Sequence, residues 1–189
     1  YLVAHALVRT TLSRYANLEP QDWQFSTNRY GRPEVLAAQA TQPPMRFNLS
    51  HTHGLVACLV TQSLDCGVDV ESGRELEDIM SVAKIAFSAD EFAALSGLPK
   101  HERHERFYQY WTLKESYIKA RGMGISLPLG EFGFQFDGHE LIGVNFAACL
   151  EDEPADWQFC VGSVGPSAHT LAVALRRGGG PDLPVVCRH

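Results

Sequence analysis

In FYQYWTLKESYIKARGMG, residues 107–124, Lys114, Glu115 and Lys119 stand together in a segment otherwise rich in aromatic and aliphatic side chains. Glu115 and Lys119 are four apart, so on a helix they meet on one face. Alone they make a surface ion pair worth a few tenths of a kcal/mol. Upstream, GVDVES (67–72) places Asp69 and Glu71 two apart. On a strand both carboxylates then project one way while Val68 and Val70 turn into the core. Two such acids repel unless protons or a cation neutralise them, and paired hard oxygen donors suit Mg2+. The competing reading is a solvated edge strand with two free acids. FNLSHTHG (47–54) supplies Ser50, His51 and the backbone around Gly54, groups that can hold phosphate oxygens. Its His-x-His pair would suit zinc, but no Cys or carboxylate sits at a convincing spacing. The plain alternative for His51 is a loop histidine with a structural hydrogen bond. Arg32, in YGRP beside a turn, is either a phosphate clamp or a solvent-facing arginine.

Periodicity gives the elements that must position these groups. YLVAHALVRTTLSRY predicts a helix through Leu2, Leu7 and Leu12; it opens with neither Met nor a cap, so upstream protein is expected to be missing. Residues 26–33 are turn chemistry. Residues 45–61 predict two buried strands broken at 50–54, and 65–72 a third. A helix is expected over 76–87 and another from Ser88, where Ser-Ala-Asp-Glu forms a capping box with Glu91. The aromatic helix from Phe107 ends at Gly122, a residue suited to a left-handed cap. Phe107, Tyr110, Trp111, Tyr117 and Ile118 make that helix too apolar to stand free, so it packs deeply, with its charged stripe along a cleft. Strands are expected over 131–136, 141–149, 157–161 and 171–175, followed by a loose tail. The architecture is mixed α+β, with a seam near 63–66.

Composition bounds the function. With 189 residues, 45% hydrophobic and 20% charged, the chain can bury a core as one domain or two small ones. It contains no apolar run of about 20 residues and no signal-peptide pattern, which makes the cytoplasm the expected location and a membrane partner unexpected. The five cysteines, Cys58, Cys66, Cys149, Cys160 and Cys187, form no CxxC pair and read as reduced, mostly apolar fillers. A net charge of −6 argues against nucleic acid as a partner. An anionic partner must meet the local cluster of Lys100, Arg103, Arg106, Lys114, Lys119 and Arg121, unless that cluster is only a solvated helical face.

In order and spacing, GRP (31–33), FNLSHTHG (47–54), GVDVE (67–71) and YWTLKESYIKARGMGISLPL (110–129) resemble the 4'-phosphopantetheinyl transferases of the larger, Sfp-like type. The pairing of WxxKExxxK with G(V/I)D(V/I)E is demanding, and the resemblance weakens only in the tail. It implies a pseudo-twofold pair of α/β subdomains: an N-terminal half over 1–65, here incomplete, a C-terminal half over 66–177 with the metal site, and a flexible tail over 178–189. Family members carry further sequence before the first helix, including basic residues that hold the 3'-phosphate of coenzyme A. The implied reaction moves 4'-phosphopantetheine from coenzyme A to a serine of an apo acyl or peptidyl carrier protein, releasing adenosine 3',5'-bisphosphate. Fatty-acid, polyketide and nonribosomal peptide biosynthesis all use such carriers. By the same resemblance Asp69, Glu71 and Glu115 bind Mg2+, with Mn2+ as an alternative. Arg32, Ser50, His51, Lys114 and Lys119 contact the cofactor. Glu115, Lys119 and His51 form the catalytic set, Glu115 taking the proton directly or through a metal-bound water. The larger type is generally monomeric. Carrier proteins are acidic, which makes Lys100 to Arg121 with GMGISLPL the expected docking surface. Two other readings share these residues: an Mg2+-dependent phosphoesterase or nuclease, and a non-enzymatic module that binds coenzyme A or a carrier protein.

Overall fold

The structure is a computed structural model that describes residues 2–73, 76 and 78–188. Helix α1 (Leu2–Ser13) buries Ala4, Val8 and Leu12. The expected stripe through Leu2 and Leu7 is displaced because an i, i+4 row keeps one face better than steps of five; Leu2 is 82% exposed. Strands β1 (Phe25–Thr27) and β2 (Pro33–Val35) pair across the turn expected at 26–33. Helix α1 packs on a hairpin of β3 (Met45–Thr52) and β4 (Leu55–Gln62), closing a small core with Trp23, Met45 and Phe47. Thr52 pairs with Leu55, which confines the break to His53 and Gly54, the latter at φ +81°. Ser50 and His51 are therefore strand residues, not loop residues, because Ala57 and Val56 pair with them across the ladder.

The second part holds a three-stranded antiparallel sheet of β5 (Cys66–Glu71), β8 (Trp157–Val164) and β9 (His169–Arg176), in the order β5-β9-β8. Between β5 and β8 run α2 (Ile79–Ala86), α3 (Ala89–Gly97), α4 (Lys100–Arg121) and the hairpin β6 (Phe132–Asp137) with β7 (Glu140–Phe146). Helix α2 starts where Asp78 accepts a hydrogen bond from the Ser81 amide, so the helix predicted from 76 is shorter; Glu77 lies outside the described residues. The capping box at Ser88 and Glu91 forms as expected. Helix α4 begins about two turns before Phe107 and ends at Gly122, φ +61°. No described helix is long and apolar enough to cross a membrane. The tail beyond β9 is not wholly loose: the Gln158 side chain donates to the Leu183 carbonyl and accepts from its amide.

Two contacts fix α4. Its core-facing row is Phe107, Tyr110, Lys114 and Tyr117, so Lys114 points inward. Lys114 is 1% exposed; its Nζ lies 2.8 Å from Glu91 Oε2 and donates to the carbonyls of Leu129 and Phe132 at 2.8 and 2.6 Å. Glu91 also accepts from the amides of Ser88 and Phe134. The expected role of Lys114 as a cofactor contact is thus corrected, since every donor direction is occupied inside the core. The second contact is at Gly67 of β5, where an added Cβ would lie 1.9 Å from the Ser116 carbonyl oxygen and 2.5 Å from the Ala120 nitrogen of α4. Only glycine allows this approach. The free edge of β5 faces β3, whose Asn48 Oδ1 accepts from the Val68 amide at 2.9 Å and whose Ser50 Oγ accepts from the Val70 amide at 3.2 Å. Both partners advance together, so β3 and β5 run parallel, joined by side chains instead of a backbone ladder.

Gly67→Ala should lower stability by about 3 kcal/mol, because backbone on both sides has to move; urea denaturation measures it. Lys114→Met should cost about 3–5 kcal/mol by leaving the Glu91 charge buried and unpaired, and adding Glu91→Gln should recover part of that loss in the same assay.

Candidate active site

Gly67, Asp69 and Glu71 line the face of β5 covered by α4. Their partners step back along the helix, from Ser116 and Ala120 at Gly67, through Lys119 at Asp69, to Trp111 at Glu71. Strand and helix therefore cross in opposite senses, which brings Glu115 beside the same acids. Asp69 is only 4% exposed, so the predicted solvated edge does not form. Its Oδ1 accepts from Lys119 Nζ at 2.6 Å and from Ser50 Oγ at 2.9 Å. Ser50 Oγ in turn accepts from Lys119 Nζ at 2.9 Å and from the Val70 amide. Lys119 thus pairs with Asp69 across the fold, not with Glu115 along its own helix. Its side chain is 26% exposed, against 5% for that of Asp69, so Lys119 is the open member of the pair.

The acids strain against one another. Burial raises the pKa of Glu71, and Asp69 and Glu115 raise it further, against a hydrogen bond from Trp111 and the charge of Lys119. Burial likewise raises Glu115, with Asp69 adding and Lys119 opposing. The second Asp69 oxygen, Oδ2, is buried without a hydrogen-bond partner. An orphaned carboxylate oxygen beside two reluctant acids is a donor set that fits a hard divalent cation. The three are not already gathered as a cage: among the described residues no group of three His, Cys, Asp or Glu stands ready to hold a metal.

Other expected residues fall elsewhere. Successive strand residues point to opposite faces, so Ser50 is buried while His51 is exposed, away from the Lys119–Asp69 pair. This removes the geometric basis for His51 as a catalytic group. Arg32 donates to the Ala120 carbonyl and to Glu34, both at 2.9 Å, and with Asn28 it closes the C-terminal end of α4 at Gly122. It is a clamp on helix carbonyls, not an open phosphate clamp. The basic stretch of α4 is also largely engaged: Arg103 caps α3 at Ser96 and Leu98, Arg106 reaches the Gly138 carbonyl and the Phe136 ring, and Arg121 binds Asp152 and Tyr117. Each of these arginines thus makes a structural contact as well as carrying a charge. Of the cysteines, Cys66 is buried with its thiol pushed up to about 11, chiefly by burial, and Cys58 is pushed up to about 12 for the same reason. Cys149 and Cys187 are exposed, so the filler reading does not describe them.

Four residues escaped the sequence reading: Asn48, Glu91 as an ion-pair partner, Asp152 and His169. Asn48 carried a signal, since it lies two before Ser50 and so on the same strand face. Glu91 carried one only as a helix cap.

Residues 65–174 match the family model described as the 4'-phosphopantetheinyl transferase superfamily. The chain is 37% identical over 131 residues to the 4'-phosphopantetheinyl transferase Sfp of Bacillus subtilis (strain 168), covering 69% of this chain and 55% of the relative. It is 33% identical over 126 residues to the 4'-phosphopantetheinyl transferase HetI of Nostoc sp. (strain PCC 7120), covering 67% of this chain and 53% of the relative. The chain thus spans a little over half the length of these curated relatives.

Glu115→Gln tests the electrostatics. A carboxylate whose pKa is raised by folding binds its proton more tightly in the folded state, so stability falls as pH rises from the ordinary 4.5 through the raised value. In chelator-treated buffer the variant should be more stable than the unaltered chain near neutral pH, and that gain should vanish at about pH 4. Urea midpoints across this range check it.

Proposed function

The chain belongs to the 4'-phosphopantetheinyl transferase superfamily, and we propose that it transfers the 4'-phosphopantetheine arm of coenzyme A to a serine of an apo acyl or peptidyl carrier protein. The observation that carries this reading is the bridge of Lys119 to Asp69 and Ser50, with Glu71 and Glu115 held as reluctant acids around it. A partly exposed cation in an acidic site is suited to a ligand that brings both a pyrophosphate and a metal. Asp69, Glu71 and Glu115 would hold Mg2+, or Mn2+, which when bound neutralises the acids and polarises phosphoryl oxygens.

The residues of the chain account for the remaining steps. Lys119 turns its partly exposed ammonium to the phosphates and stabilises charge on the transferring group. The carrier serine Oγ attacks the β-phosphorus in line. The bond from that phosphorus to the bridging oxygen breaks, and adenosine 3',5'-bisphosphate departs. The serine proton passes to Glu115, directly or through a water. The β3–β4 turn supplies further hydrogen bonds to the ligand, with His51 contacting phosphate from the exposed face, while Ser50, whose hydroxyl is taken up by Asp69, Lys119 and the Val70 amide, positions the ammonium.

In this reading the protein works as a monomer in the cytoplasm, and five free thiols accord with a reducing compartment. The proposed division is 1–65, 66–177 and 178–189, supported by separate cores under α1 and α4.

Intact mass spectrometry of an apo carrier protein incubated with this chain, coenzyme A and Mg2+ tests the proposal. The expected outcome is a gain of one phosphopantetheine that needs Mg2+ and falls at least about a hundredfold in rate with Glu115→Ala. No gain on any of several carrier proteins contradicts it.

A further inference from the structure

His169 opens β9 and is 5% exposed, yet one ring nitrogen, Nε2, lies 2.8 Å from the carbonyl oxygen of His53 in the β3–β4 turn. A carbonyl only accepts, so Nε2 carries the proton of this hydrogen bond. Nδ1 is buried with no hydrogen-bond partner. The ring is thus held to the turn through its Nε2. Its place matters because Thr170, the next residue, pairs with Glu71 of β5. Strand β3 runs parallel beside β5, so the turn after Thr52 emerges at the end of the sheet that carries Asp69 and Glu71. Gly54 completes the turn, and a Cβ there would stand 4.0 Å from His169 Nε2.

We propose that His169 is a positioning residue for coenzyme A, fixing the β3–β4 turn so that His51 and the turn amides keep the orientation in which they hold phosphate oxygens. This rests on the transferase reading. A purely structural role accounts poorly for the residue. A buried ring nitrogen without a partner is unfavourable, and an apolar ring of similar shape would remove it. What such a ring cannot do is tie the turn of the first half to the sheet of the second.

The test compares the 189-residue chain with His169→Phe and His169→Gln, whose amide Nε2–H can still donate to the His53 carbonyl. In His169→Phe, deuterium uptake at residues 52–55 should rise while the melting temperature stays within about 4 °C. The KM for coenzyme A should rise about five- to tenfold with kcat within about twofold, the pattern of a lost binding interaction. His169→Gln should restore both uptake and KM. Unchanged uptake in His169→Phe, or raised uptake with an unchanged KM, overturns the proposal. So does a His169→Phe protein that fails to fold, which assigns the residue to stability instead. If the unaltered chain neither binds coenzyme A nor modifies a carrier protein, the transferase reading falls and this inference with it; a competent unaltered chain with an indifferent His169→Phe sinks this inference alone.

Discussion

The arrangement depends on how closely β5 approaches α4 at Gly67. Any side chain there would collide with the Ser116 carbonyl and the Ala120 amide, and the strand would have to stand off from the helix. That separation decides whether Lys119 can reach Asp69 at 2.6 Å. It also decides whether the Glu71 and Glu115 carboxylates feel one another. The same strand faces β3 on its other edge, where Asn48 and Ser50 satisfy the amides of Val68 and Val70. One short strand therefore carries the helix contact, the acids and the contact with the β3–β4 hairpin. One edge pairs with β9, and on the other these two amides find side-chain partners.

Lys114 and Lys119, five residues apart, show how position sorts identical chemistry. Both pair with a buried carboxylate. Lys114 is 1% exposed and meets Glu91 together with two carbonyls, a closed arrangement that can hold α3, α4 and the β6 hairpin together but cannot meet a ligand. Lys119 keeps a quarter of its side chain open, and its partner Asp69 retains one unsatisfied oxygen. Leaving a buried polar atom without a partner is unfavourable for folding alone. The incomplete pair is the one suited to binding, and the complete pair is the one suited to stability.

Much of this was legible in the residues. The two-residue alternation of GVDVE set Asp69 and Glu71 on one face, the capping box located α3, and Gly122 marked the end of α4. The spacing of Phe107, Tyr110 and Tyr117 also contained the fate of Lys114, because a residue four after Tyr110 and three before Tyr117 must share their buried face. A stripe of like-named ionisable residues concealed it. The burial of Asp69 and the employment of Arg32, Arg103, Arg106 and Arg121 were not legible. Each depends on a carbonyl, carboxylate or ring supplied by a distant element, and local periodicity carries no record of such partners. His169 gave no sign at all, since its partner lies 116 residues away in the chain.

In the proposed function, the acids of β5 and α4 join the fold to coenzyme A through a divalent cation. Calorimetric titration of coenzyme A, with and without Mg2+, into the unaltered chain and into Asp69→Asn measures this link. Mg2+ should tighten binding by at least about tenfold, roughly 1.4 kcal/mol, and Asp69→Asn should abolish this gain. Equal affinity with and without Mg2+, or a gain that survives Asp69→Asn, would contradict it.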